Sequence, residues 1–238
     1  MLDGLKTRLA ETYHRRQLTD AAQAVREARL TYLSPAKLHN LERYLEQVEE
    51  DGVEGDCVEY GVALGGSAIL IAKLMGPDRS FTGFDLFGTI PPPSARDTAD
   101  SHARYEVIAS GRSSGIGGDR YYGYEDDLHG KVVRNFRKFG LNANGPHVGL
   151  VKGLFDDTVA FAPNKKIAFA HIDCDWHDPV ALCLAKTYER LSPGGVIILD
   201  DYNDYGGCRT ATTDFLRAHA DMRLAKDTHN AVLVRDVP

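Results

Sequence analysis

IAFAHIDCDWHDPVALCLAKTYERLSPGGVIILDDY (167–202) opens on a short apolar run, passes through a cluster of acids into a helical stretch, and returns to a second apolar run that ends in paired acids. The runs IAFAHID (167–173) and GVIILDD (195–201) are strand-sized, and Pro179 suits the first turn of the helix expected between them at 179–190. Two strands joined by a helix form a parallel pair, and parallel strands deliver their carboxyl ends to the same sheet edge. Asp173, Asp200 and Asp201 therefore converge there without any local sequence contact.

The same alternation extends in both directions. CVEYG (57–61), SFTGFD (80–85) and HVGLVKG (147–153) are further strand-sized runs, with helical stretches at 66–75, 126–139 and 207–219. Apolar runs alternating with helices predict a parallel sheet covered on both faces. MRLAKD (222–227) and NAVLVRD (230–236), joined by Thr228-His229, read as an antiparallel hairpin closing it. The expected fold is α/β and Rossmann-like, with a mostly parallel seven-stranded sheet. Residues 1–50 read as an N-terminal helical extension. Leu18, Ala21, Ala22, Val25 and Leu30 recur at helical spacing, and a second helix from Ser34-Pro35 aligns Leu38, Leu41, Tyr44, Leu45 and Val48 before Asp51-Gly52. Residues 51–238 form the main domain, interrupted at 88–125 by a segment with three consecutive prolines and several tyrosines, a candidate lid.

Composition excludes several classes. The chain has 28 Lys+Arg against 34 Asp+Glu, a formal charge of −6, which argues against a partner rich in phosphate such as nucleic acid. With 43% hydrophobic and 26% charged residues it can bury a sizeable core. Cys57, Cys174, Cys183 and Cys208 form no CxxC pair, so neither a zinc site nor a disulfide framework is expected. No apolar run reaches membrane-spanning length and the N-terminus has no signal-type apolar core, so the expected location is cytoplasmic. The amphipathic first 30 residues suggest an arm for a homo-oligomer.

Three motifs carry chemistry. VEYGVALGGSA (58–68) follows a strand and opens a helix, so its glycines let backbone approach a ligand and its free N–H groups suit an anion; packing glycines would leave the same pattern. It lacks both the GxGxxG dinucleotide spacing and the Lys-Ser/Thr of a P-loop. Glu59 could meet a cationic amine, and Asp85, just over 20 residues beyond the first glycine, could accept ribose hydroxyls or simply cap a turn. The third motif is the carboxylate set. Asp173, Asp200 and Asp201 would repel one another, and an oxygen-only donor set suits Mg²⁺, with Mn²⁺ or Ca²⁺ as alternatives, rather than zinc; helix capping would absorb one or two of the three. In the candidate lid, His102, Arg104, Tyr105, Arg112, Arg120, Tyr121, Tyr122 and Tyr124 suit sugar rings or anionic acceptors, or are ordinary surface composition. Trp176 either walls the acceptor pocket or packs beneath the lid.

From about residue 31 onward the chain resembles the macrocin O-methyltransferase family. The resemblance rests on TYLSPAKLHNLERYLEQVEEDGVEGDCVEYGVALGGSA (31–68), FDLFGTIPPP (84–93), RNFRKFGL (134–141), VKGLFDDTV (151–159), HIDCDW (171–176), LSPGGVIILDDY (191–202) and GCRTATTDF (207–215), in that order. It implies a class I methyltransferase that uses S-adenosylmethionine and Mg²⁺ to methylate a hydroxyl of a sugar moiety, in a glycoside, nucleotide-sugar or glycan of natural-product or surface-glycan biosynthesis. It further implies that Glu59, Gly61, Gly65 and Ser67 surround the methionine end of the cofactor and Asp85 the ribose. Gly153, Leu154, Phe155 and Asp156 would lie near the adenine, with Leu33 and Ser34 closing over the cofactor. Asp173, Asp200 and Asp201 match the family's metal carboxylates, and Asp173 also borders the cofactor. Asp175 matches the general base of one branch, and in another branch the base is a His at the position of Asn203. The chain departs from the pattern at Cys174 for glycine, Leu86 for serine and His177 for tyrosine. His177 is the alternative base, its ordinary pKa being nearer neutrality. Asp178 reads as a helix-start residue. The competing expectations are a catechol-type O-methyltransferase on an aromatic diol, and a non-catalytic or NAD-binding Rossmann-like protein, which the missing dinucleotide fingerprint disfavours.

Overall fold

The computed structural model describes residues 11–238. Its centre is one seven-stranded sheet of β1 (Asp56–Tyr60), β2 (Phe81–Asp85), β3 (Val148–Lys152), β4 (Ile167–Ile172), β5 (Leu191–Leu199), β6 (Met222–Lys226) and β7 (Ala231–Arg235), in the spatial order β3-β2-β1-β4-β5-β7-β6. The first five strands run parallel, and β7 lies antiparallel to both β5 and β6. The α/β, mostly parallel fold expected from the runs is the one observed. The strand order reverses between β1 and β4, which is where ligands bind in sheets of this kind.

Helices α1 (Asp20–Glu27), α2 (Pro35–Glu50), α3 (Gly66–Leu74), α4 (Ala99–Ala109), α5 (Leu128–Lys138), α6 (Phe155–Thr158), α7 (His177–Tyr188) and α8 (Gly206–Ala218) surround the sheet. One face packs Phe169, Val196 and Ile198 against Leu38 and Leu41 of α2, Ile69 of α3 and Phe136 of α5. The other packs Ala170, Ile172, Ile197 and Leu199 against Val180 and Leu184 of α7 and Phe215 of α8. With both faces covered, every residue of β4 is buried, which is why its sequence is an unbroken apolar run. All four cysteines are buried and free. No helix among the described residues is long and apolar enough to cross a membrane.

The N-terminal helices begin where their caps dictate. Thr19 Oγ1 accepts from the N–H of Ala22 to start α1, and Ser34 Oγ accepts from the N–H of Lys37 at the Pro35 start of α2. Residues 11–17 are also helical, while the first ten residues of the expected extension lie outside the described residues. Two details differ from expectation. β5 starts at Leu191, before Pro193-Gly194, because Leu191 pairs with Ile167 and the chain bulges before Val196 rejoins Phe169. The segment 88–125 contains α4, which buries only Ser101 and Ile108 and so leaves no apolar stripe in the sequence.

The tips of β1 and β4 are pressed together. The N–H of Gly61 donates to Phe84 O (2.9 Å) and that of Asp173 to Tyr60 O (2.8 Å), so each strand end is tied to its neighbour. A Cβ on Gly61 would lie 1.8 Å from the Asp173 carbonyl oxygen, in a backbone at φ +91°. Gly61→Ala is therefore expected to cost about 3 kcal/mol or more. Gly52→Ala, at φ +62° with no atom within 4 Å, should cost only about 1 kcal/mol. Urea unfolding of the two variants checks the contrast, and equal costs would contradict the close approach.

Candidate active site

Asp173 is the first residue after β4, and Asp200 and Asp201 follow β5 directly; because Ile172 pairs with Leu199, the three emerge side by side. One carboxylate oxygen from each lies within 4.8 Å of the others. Asp201 Oδ2 accepts the backbone N–H of Asp175 (3.0 Å). Asp200 Oδ2 accepts from Lys37 Nζ (2.7 Å), while Asp200 Oδ1 is buried with no partner. Burial raises the Asp173 and Asp201 carboxyls far above their ordinary range, and the mutual repulsion of the acids adds to it. A hard divalent cation fits this set: three oxygen donors at a spacing comparable with the roughly 4–5 Å separating oxygens across Mg²⁺ or Ca²⁺, on residues that include Asp200 with its unpartnered Oδ1.

Two chambers meet at these strand ends. The larger, about 510 Å³, runs from Gly61 and Asp85 past the loop Gly153–Asp156 to Pro91 and Trp176. The smaller, about 260 Å³, is walled by Lys37, Arg104, Tyr121, Tyr205 and the acids Asp200 and Asp201. Gly61, Tyr122, Asp173 and Asp175 line both. Asp175 sits in the left-handed region at φ 60°, a conformation uncommon for a residue with a Cβ, and the loop thereby turns it to the border of the chambers. Burial pushes its carboxyl up to about 7, with Arg104 drawing it back and Asp200 adding to the rise.

Gly61, Asp85, Gly153, Leu154, Phe155, Asp156 and Asp173, singled out from the sequence, all line the larger chamber, and Leu33 lines the smaller. Asp85 is already engaged: its oxygens accept the N–H groups of Val62 (2.7 Å), Ala63 (2.9 Å) and Phe87, leaving lone pairs on the chamber side. Ser34 lines neither chamber and acts as the cap of α2. Gly65 and Ser67 are buried at the start of α3, also off both walls. Glu59 lies deeper still, fully buried, with Oε1 2.7 Å from Nδ1 of His171, its register partner on β4. His177 turns its Nδ1 to Asp178 (2.8 Å) and lines neither chamber.

Within the 88–125 segment, Arg104, Tyr121 and Tyr122 face the chambers. Tyr124 instead donates to Ile108 O, and Arg120 pairs with Asp126. Trp176 lines the larger chamber, and its Nε1 donates to Pro91 O (2.9 Å) in the 88–125 segment. Lys37, Tyr32, Asp204 and Tyr205 were not singled out from the sequence, yet all line the smaller chamber. A tyrosine and an aspartate just after the Asp200-Asp201 strand end were the only available signal for the last two.

A family model described as Macrocin-O-methyltransferase (TylF) matches residues 5–228. The 8-demethyl-8-(2,3-dimethoxy-alpha-L-rhamnosyl)-tetracenomycin-C 4'-O-methyltransferase of Streptomyces olivaceus is 32% identical over 189 residues, 78% of this chain and 67% of that protein. The mycinamicin III 3''-O-methyltransferase of Micromonospora griseorubida is 30% identical over 196 residues, 79% of this chain and 71% of that protein. Among solved structures, the O-methyltransferase NovP superposes with a TM-score of 0.71 at 25% identity, covering 87% of this chain and 83% of that one.

The Glu59–His171 pair gives a direct test of a buried structural role. Glu59→Gln keeps an acceptor for His171 and should cost about 1 kcal/mol. Glu59→Ala strands the imidazole in the core and should cost about 3 kcal/mol or more. Thermal or urea unfolding distinguishes them; an alanine variant as stable as the parent would deny the pair its part in the core.

Proposed function

The chain belongs to the macrocin-O-methyltransferase family, and from that premise we propose that it moves the methyl group of S-adenosylmethionine onto a hydroxyl of a sugar-bearing small molecule, aided by a divalent cation. The observation that carries this reading is the meeting of two chambers at Gly61, Tyr122, Asp173 and Asp175, where Asp173 joins Asp200 and Asp201 of the smaller chamber in the acidic triad. The larger chamber has the volume of a cofactor site and takes the donor. There Leu154 and Phe155 offer apolar surface to the adenine, and Asp85 offers its remaining lone pairs to the ribose. The smaller chamber takes the acceptor, whose class is suggested by the rhamnosyl group named for the Streptomyces olivaceus relative.

When bound, S-adenosylmethionine supplies a methyl group on positive sulfur, and a divalent cation held by Asp173, Asp200 and Asp201 supplies an electrophile that acidifies an acceptor hydroxyl. Asp175 then takes the hydroxyl proton on its carboxylate, and its raised pKa matches that task near neutral pH. Arg104 faces the same chamber and favours the ionised form of Asp175 that can accept. Tyr121 and Tyr205 present ring surface and hydroxyls to a sugar, and Tyr122 at the border helps keep water from the transferring methyl. His177, hydrogen-bonded to Asp178 and off both walls, is the weaker candidate for the base.

Asp175→Asn is expected to lower kcat about a hundredfold or more while S-adenosylhomocysteine still binds, read by single-turnover kinetics and calorimetry. Unchanged turnover would remove Asp175 as the base. Chelation of divalent ions should abolish turnover and added Mg²⁺ should restore it; activity that survives exhaustive chelation would remove the cation from the reading.

A further inference from the structure

Lys37 reaches the acidic cluster from the opposite end of the sequence. Its backbone N–H is held by the Ser34 cap (3.3 Å), which fixes the start of α2, and its side chain runs to the end of β5. There Nζ lies 2.7 Å from Asp200 Oδ2, 3.0 Å from Asp200 O and 2.6 Å from Asp204 Oδ2. The Lys37 and Asp200 side chains are 13% and 8% exposed, so water screens this contact poorly, whereas the Asp204 side chain is 51% exposed. Among the described residues, no other Lys, Arg or His forms an ion pair with Asp173, Asp200 or Asp201. Among the described residues, the one side-chain cation paired with the triad is thus Lys37, and it meets the triad at Asp200.

We propose that Lys37 is a tethered counterion of the acidic triad, stabilising the cluster when no metal is bound and lowering the affinity of the divalent cation that Asp173, Asp200 and Asp201 take up. This rests on the cation-binding reading given above. The physical reason is that both positive charges draw on the same carboxylate. Lys37 uses Oδ2 of Asp200, and the orphaned Oδ1 is left for a second cation. Two cations sharing one poorly solvated carboxylate repel each other, so each binds less tightly in the presence of the other. The coupling is reciprocal: whatever stability Lys37 gives the empty site above what it gives the filled one must appear as weakened metal affinity. The sequence placement fits, since the Ser34-Pro35 cap ties the docking of α2 to the charge state of strand ends 163 residues away.

The test uses the full chain and Mn²⁺ as the probe, with thermal unfolding and calorimetry as readouts independent of turnover. Lys37→Met is expected to lower Tm of the metal-free protein by roughly 5–15 °C. Saturating Mn²⁺ should recover most of that loss, and the Mn²⁺ Kd should tighten by about 5- to 150-fold. Lys37→Arg keeps the charge and should stay near the parent in both measurements. If Lys37→Met folds only when Mn²⁺ is present, the proposal is supported in its strongest form. If it binds Mn²⁺ equally or more weakly, or if Mn²⁺ fails to recover its folding, the proposal is overturned and Lys37 is an orienting or packing residue. A parent chain that takes up no Mn²⁺ instead sinks the cation-binding reading itself, so the two failures are separable.

Discussion

Carboxylates brought together repel, and the carboxyl ends of β4 and β5 bring together three. The parallel pairing of the two strands makes this unavoidable: once Ile172 lies beside Leu199, the next residues are Asp173 on one strand and Asp200-Asp201 on the other. The surrounding architecture answers that repulsion in three ways. A backbone N–H from Asp175 reaches Asp201, an ammonium from α2 reaches Asp200, and Oδ1 of Asp200 is left unpartnered, which suits the proposed cation. The hydrogen bond to Asp201 also helps set the turn that carries Asp175 to the border of the two chambers, so compensation of the cluster and placement of the proposed base use the same short loop.

Much of this was legible in the sequence because the signals are local. A strand buried on both faces must be apolar along its length, and β4 is. Acids at the ends of two such strands must share an edge, which is why the triad could be picked out from spacing alone. Glu59 illustrates the limit. A charged residue near the end of an apolar run reads as a ligand contact, but it serves equally well as the partner of a polar residue on the next strand. The counterpart was present in IAFAHID, where His171 interrupts the apolar run, but the register that pairs it with Glu59 belongs to the sheet and not to either segment.

What escaped the sequence escaped for physical reasons as well. Helix α4 buries two residues, so no periodicity marks it. The start of β5 depends on a bulge whose cost and reward lie in the pairing with Ile167. Lys37 reads as an ordinary solvated lysine near a helix start; only the packing of α2 beside the sheet turns it toward Asp200. Long-range charge pairs leave little trace in one sequence because either partner alone is unremarkable.

The two chambers differ in what holds their walls. The floor shared at Gly61 and Asp173 is carried by strand ends locked into the core, where Gly61 has no room even for a methyl group. The outer wall of the smaller chamber is carried largely by a segment inserted between β2 and α5, through Arg104, Tyr121 and Tyr122. That segment contributes few residues to the core, so substitutions in it are expected to cost folding little. The shape of the smaller chamber can therefore change with the insertion while the sheet that carries the acids stays as it is.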